Sequence, residues 1–271
     1  RFDTASDSLK LLGLGHTLGL DCDNTLAVLG GDLDLAHQVL FGDTNLLVGR
    51  QSRPLGPQVY VLLRRAIVRG TFLPDEPIDE RRIALELGVS RTPVREAVRR
   101  LVDERFVDVV AQSSTRVAPL DPSLVEESRL IRRTLEIESA AQAAPHMSAR
   151  HERVLGDALA RQRRCIDAGR FSDAIDADDE FHHAIASVSG RERLWRTIER
   201  EKAHVDRCRH RMLPLPGEAE ITLAHHEDIL QALRAHDAAR ARAAMATHLD
   251  AAWNSTRRTL RNDPDPDTLC H

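Results

Sequence analysis

The chain has 271 residues, of which 42% are hydrophobic, and its 38 Lys and Arg against 42 Asp and Glu leave a formal charge of −4. That length allows two domains, or one large one, with a proper core. Apolar runs break within a few residues, short of the ~20 that a transmembrane helix needs, so no membrane partner is expected. Cys22, Cys165, Cys208 and Cys270 lie too far apart for a CxxC motif or a disulfide framework, which suits a reducing cytoplasm. The first residue is Arg, not Met, and no basic and then apolar leader follows, so the start reads as misassigned and export is not expected.

Charge is uneven along the chain. Basic residues number three against seven acidic over 1–51, twelve against nine over 52–120, and 23 against 26 over 121–271. A positive block within an acidic protein points to an anionic partner such as DNA. Residues 1–51, rich in Leu, Gly and Asp without a sustained period, are expected to be disordered or an artefact of the start.

From Gln58 to Arg69 the residues Val59, Leu62, Leu63, Ala66 and Ile67 recur with helical spacing. After breaks at Pro74 and Pro77, "DERRIALELG" (79–88) reads as a short helix, N-capped by Asp79 and ended by Gly88. "VSRTPVREAVRRLVDERF" (89–106) follows after a minimal turn, the pattern of a helix-turn-helix. Ser90 is a candidate N-cap, and Pro93 falls in the first turn, where a missing N–H costs little. Val94, Ala97, Val98 and Leu101 form the inward stripe, which leaves Arg91, Thr92 and Arg95 facing outward near the helix N-terminus. That end of a recognition helix meets base edges in the major groove, where Arg can grip guanine bidentately. "VDVV" and "TRVAPL", separated by "AQSS", read as a β-hairpin wing, and "PLDP" (119–122) as a linker.

Beyond the linker almost everything carries helical periodicity: 123–144, 148–168, 172–189, 191–212, 217–235 and 238–260. The predicted architecture is therefore mainly α: a winged helix-turn-helix of three helices and a small hairpin over 52–120, an all-α six-helix bundle over 123–260, and a tail over 261–271. Within the bundle, "DADDEFHH" places Asp178 and His182 one turn apart on the face shared with Ala174, Phe181, Ile185 and Val188, while His183 is turned about 100° away. An unpaired carboxylate on an apolar face would be costly. His226 is in register with Ile229, Leu230 and Leu233, and His248 lies among Ala244, Met245 and Ala252. Three helices thus aim an imidazole inward and one adds a carboxylate, a donor set that suits a divalent Zn, Ni, Mn or Fe ion with coordination positions left open. With thirteen histidines in the chain, any one of them on an apolar face has a competing reading as a core residue satisfied by the backbone.

The run from Arg69 to Val107 resembles the winged helix-turn-helix of the GntR family of bacterial transcription regulators, over about residues 54–120. The resemblance implies DNA contacts at Arg81, Arg91, Thr92 and Arg95, with Gln112 and Ser113 in the wing. This chain has Pro74-Asp75 where the family usually has Pro-Gly, Arg105 where it has Gly, and a wing without its Gly. Residues 123–258 are similar to the FCD ligand-binding domain of the FadR branch, whose metal pattern, an Asp and a His one turn apart and two later histidines, is matched by Asp178, His182, His226 and His248. There "RRTLEIESAAQAA" resembles the first helix and places Arg132 toward an effector pocket, whereas Ser189-Gly190-Arg191 stands where Ser-Gly-Asn is common. The resemblance implies a cytoplasmic homodimer, a repressor on a pseudo-palindromic operator in double-stranded DNA, controlled by a small organic acid bound to the metal and to Arg132.

An enzyme is the alternative. "DCDNT" (21–25) resembles the nucleophile loop of haloacid dehalogenase-type phosphatases, with Asp21 as nucleophile and Asp23 as acid/base. Only about fifty residues precede the helix-turn-helix and the whole chain has two lysines, too little for that core and its other catalytic groups. A metal-dependent hydrolase built on the bundle would need a spare general base, and none stands at a suitable spacing.

Overall fold

The structure, a computed structural model, describes residues 54–110 and 114–261. The expectations for 1–51, including Asp21 and Asp23, and for the tail from 262 lie outside the described residues. The chain divides into two compact units, one reaching Ala66 and running from Glu76 to Ala118, the other comprising Ile67–Asp75 and everything from Pro119 onward.

The first unit is built on α1 (Leu55–Val68), α2 (Glu80–Glu86), α3 (Arg91–Asp103), β1 (Val107–Val110) and β2 (Ser114–Val117). Val59, Leu62, Leu63 and Ala66 of α1 are buried, as are Val94, Ala97, Val98 and Leu101 of α3, so both apolar stripes are the ones the spacing requires. The Asp79 carboxylate accepts from the N–H groups of Arg81 and Arg82 and fixes the start of α2. Ser90 occupies the N-cap of α3 with extended backbone, but its hydroxyl makes no capping bond. Tyr60 donates to Glu104 at 2.6 Å and lies under the Arg100 guanidinium at 3.6 Å, which fastens α1 to the far end of α3. β1 and β2 pair antiparallel, with Val107 opposite Val117, and the segment before α2 joins them through Ile78 N–H to Thr115 O and Val117 N–H to Glu76 O. That third edge was not evident in sequence, because Pro77 breaks the β pattern.

The second unit is all α: α4 (Pro122–Ala143), a 3-10 turn (Ala144–His146), α5 (Ala149–Asp167), α6 (Phe171–Val188), α7 (Glu192–Glu201), α8 (Ala203–Met212), α9 (Glu218–Arg234) and α10 (Ala238–Arg261). "PLDP" contributes more than a link, since Asp121 caps α4 and Pro122 opens its first turn. The stretch expected as a single helix over 191–212 is two, so the described residues of this unit form seven α-helices where six were expected. Lys202 stands at the joint, its ammonium buried between Asp206 and Asp179, the latter at 2.6 Å. The Lys202 backbone stays in the right-handed helical region at this joint, and its contact with Asp179 is a tertiary one that no local signal reports. α5 packs on α6, α9 on α5 and α10, and α4 on α6 and α10, around a core that includes Leu155, Phe181, Ile185, Ile229, Leu233 and Met245.

Two non-glycine residues occupy the left-handed region where the family usually has glycine: Asp75 at φ 64° and Arg105 at φ 59°. Arg105 follows the C-cap of α3, with its N–H on Val102 O and that of Phe106 on Leu101 O, a termination that favours glycine because a Cβ crowds the carbonyl. Arg105→Gly should stabilise the first unit by about 1 kcal/mol, and Asp75→Gly should add less because Asp tolerates this region. Denaturant unfolding of the variants checks this, and an unchanged midpoint for Arg105→Gly would contradict it.

Candidate functional site

Two groups of residues stand out, one in each unit. In the first, the turn between α2 and α3 is short: Val89 N–H bonds to Ala84 O at 3.0 Å and Gly88 takes φ 62°. It brings the N-terminus of α2 beside that of α3. Arg81, Arg91, Thr92 and Arg95, the outward residues expected from sequence, are all exposed. Glu80 lies between two of them, its Oε2 3.6 Å from Arg95 Nε and 4.0 Å from Arg91 Nη2. The expectation for Gln112 and Ser113 lies outside the described residues.

In the second unit the four residues singled out by their helical faces come together. Asp178 and His182 of α6, His226 of α9 and His248 of α10 are all buried, and each offers a ligand atom within 4.8 Å of the others. His182 Nε2 and His226 Nε2 are 3.3 Å apart, and Asp178 Oδ1 and Oδ2 stand 3.4 and 3.8 Å from His226 Nε2 and His182 Nε2. The rings of His226 and His248 lie 4.5 Å apart, and His226 stacks on Phe181. The neighbouring histidines diverge: the half-exposed His183 stacks on Trp195, and His225 is not among the four.

Sequence reasoning missed the groups that hold these ligands. Gln162 of α5, fully buried, places Oε1 2.8 Å from His226 Nδ1 and Nε2 3.4 Å from Asp178 Oδ1. Glu136 of α4 contacts His182 Nδ1 and accepts from Arg132 Nε at 2.5 Å. Arg209 of α8 reaches Asp178 Oδ2 at 2.6 Å and Asp206 at 3.2 Å, and Asp206 in turn meets Lys202. A signal for each existed: Gln162 shares a helical stripe with Leu155, Ala158 and Leu159, and Arg209 one with Val205 and Met212, so each is polar on a buried face. Arg132, expected at an effector pocket, is buried and held by Glu136.

The electrostatics follow from this packing. Burial raises the Asp178 carboxyl pKa, but Arg209, His226, His182 and Arg132 together hold it well below the usual range. Burial likewise opposes ionisation of Glu136, yet Arg132 and His182 bring its pKa down to about 2. The two remaining imidazoles go the other way: burial pushes His226 down to about 3 and His248 well below its ordinary value. With Gln162 Oε1 accepting at His226 Nδ1, that ring directs an Nε2 lone pair toward the Asp178 carboxylate, and Glu136 lies in contact with His182 Nδ1. His248 finds no hydrogen-bond partner for either ring nitrogen among the described residues. A lone pair facing an ionised carboxylate and an unsatisfied imidazole are costly as they stand, and they fit a cation held by Asp178, His182, His226 and His248.

The folded state therefore resists protonation of His226 and His248, whereas the unfolded chain takes up those protons below about 6.5. The sign is that the unfolded state binds more protons, so stability rises with pH through this window. Chelator-treated protein should lose stability as pH falls from about 6.5 toward 3, with Asp178 and Glu136 adding a further loss below the ordinary carboxylate range. Thermal unfolding across that range checks this, and a flat profile between pH 7 and 5 would contradict it.

A winged helix-turn-helix with an exposed basic face, joined in one chain to an all-α bundle with a buried polar centre, is the architecture of a DNA-binding regulator with a second, all-α domain. Residues 55–117 match the family of bacterial regulatory proteins named for GntR, and residues 127–251 match the FCD domain. The HTH-type transcriptional repressor RspR of Escherichia coli K12 is 30% identical over 214 residues, which is 79% of this chain and 94% of that one. An HTH-type regulator from an unstable DNA locus of Streptomyces ambofaciens is 30% identical over 208 residues, 76% of this chain and 87% of its own. Among solved structures, E. coli McbR/YncC shares the fold with TM-score 0.68 at 23% identity, covering 77% of this chain and 99% of that one. A GntR-type regulator from Rhodococcus gives TM-score 0.62 at 24% identity, covering 76% and 98%. The protein belongs to the GntR family of DNA-binding transcription regulators and carries an FCD domain.

Proposed function

We propose that the protein is a repressor of the FadR branch, a cytoplasmic homodimer that binds a pseudo-palindromic operator and whose affinity is set by a small organic acid bound at a divalent metal in the FCD domain. One observation carries the metal part of this reading: the buried quartet of Asp178, His182, His226 and His248, with both nitrogens of His248 unpartnered. A divalent ion held there would supply a Lewis-acidic anchor for a carboxylate oxygen. Arg132 favours an acid as the effector, since its Nε is committed to Glu136 while its terminal nitrogens form no ion pair with another described residue. Differential binding of that acid to two states of the dimer would then shift operator affinity. A hydrolytic reading is less favoured, because the carboxylates nearest the quartet are tied up: Glu136 by Arg132 and His182, Asp206 by Lys202 and Arg209, and Asp179 by Lys202.

The DNA reading places Arg91 and Arg95 on base edges, with Thr92 and Arg81 beside them and Gln112 and Ser113 from the wing. Arg91→Ala or Arg95→Ala should each cost about 1–3 kcal/mol of operator binding while leaving the fold intact. His248→Ala should lower metal content and remove the effector's influence on DNA binding, whereas His183→Ala and His225→Ala should keep both. Elemental analysis after dialysis and operator titrations check the two arms. Equal metal content in all three histidine variants would contradict the metal reading, and unchanged operator affinity in the arginine variants the DNA reading.

A further inference from the structure

Glu80 is an acidic residue set among the groups that should meet a polyanion. It is the first residue of α2, held in place by the Asp79 cap, and its side chain is largely buried beside the far more exposed Arg91 and Arg95. A carboxylate at this point weakens attraction to phosphate, so its cost for DNA binding needs a compensating role. The geometry indicates one. Glu80 Oε2 faces Arg95 through Nε, at 3.6 Å, and the two terminal nitrogens of that guanidinium form no ion pair with a described residue. Those two nitrogens can grip O6 and N7 of a guanine while Nε stays with Glu80. Swinging Arg95 aside to a phosphate would instead break the contact with Glu80. Arg91 faces the same carboxylate through a terminal nitrogen, Nη2, at 4.0 Å, so the geometry singles out Arg95.

We propose that Glu80 is a specificity-determining residue: it holds Arg95 toward base edges and selectively penalises complexes in which that side chain reaches only phosphates. An exposed ion pair of this length is weak enough to bias the arginine without locking it. The inference rests on α3 being the recognition helix.

The test uses full-length protein, duplexes that the wild-type chain enriches from a random-sequence pool, and the unselected pool as non-specific DNA. Glu80→Gln should raise affinity for the unselected pool roughly five- to tenfold at 0.1 M salt and steepen its log–log salt dependence by about one, the signature of one more cation released to phosphate. Affinity for the enriched duplexes should not rise, so the ratio of the two falls by a similar factor. Glu86→Gln is the control: it removes the same charge from α2, but Glu86 pairs with Arg82 and not with the recognition arginines. A ratio unchanged in Glu80→Gln, or reduced equally in Glu86→Gln, overturns the proposal. If Glu80→Gln weakens α2, Glu80→Asp decides, since it keeps the charge and withdraws it by one methylene. Reduced discrimination supports the proposal and wild-type discrimination overturns it. Arg95→Ala is measured in parallel: if it abolishes selection while Glu80→Gln changes nothing, the role of Glu80 alone fails, and if it leaves selection intact, the recognition-helix reading fails with it.

Discussion

The carboxylate of Asp178, wholly removed from solvent, is the constraint around which the C-terminal unit is arranged. Taking an ionised carboxylate out of water costs several kcal/mol even after relaxation, roughly the scale of a domain's whole net stability. The bundle offsets this through Arg209 from α8 and Gln162 from α5, while His226 from α9 and His182 one turn along on α6 converge on the same carboxylate. Each of those partners is itself buried and needs its own. Arg209 reaches on to Asp206 and through it to Lys202, and His182 to Glu136 and Arg132. The polar centre is thus a continuous network, and a half-satisfied network of this kind is worse than an apolar core. Its conspicuous gap is at His248, whose two ring nitrogens have no hydrogen-bond partner among the described residues. A cation at the quartet would close that gap.

The same network runs through the junction of two helices. Lys202 stands between α7 and α8, and its ammonium is the group that bridges Asp179 on α6 to Asp206 on α8. Asp179 is the weaker acid of the two: burial and the nearby Asp206 raise its pKa to about 6 against the pull of Lys202, whereas Asp206 is held below its ordinary value by Lys202 and Arg209 despite burial. The joint between α7 and α8 is therefore an electrostatic one, directly linked to the residue that grips Asp178.

Much of this was legible in the sequence, for a physical reason. A period of 3.6 residues assigns faces, and a polar residue on an apolar face must be satisfied by something, so register placed Asp178, His182, His226 and His248 inward, and the resemblance to the FCD metal pattern set them apart from the other histidines and acids. The first unit was legible on the same grounds, through the stripe from Val94 to Leu101 and the Asp79 cap. The partners were harder to see. Gln162 and Arg209 also lie on buried stripes, but pairing them with Asp178 needs knowledge of which helices touch. The break at Lys202 falls in a segment of good helix formers, and no Gly or Pro marks it. The left-handed residues Asp75 and Arg105 could be noticed as departures from a glycine pattern, yet only the backbone shows that the conformation is kept while the glycine is not.

The account stands or falls on what occupies the space between four converging side chains. X-ray absorption spectroscopy of protein purified without chelators, scanned across the edges of the first-row transition metals, tests it most directly. The account predicts a bound divalent metal whose inner shell holds three imidazole nitrogens and at least one carboxylate oxygen, and loss of one nitrogen in His248→Ala. A metal-free protein, or a metal whose inner shell lacks that imidazole set, would contradict it.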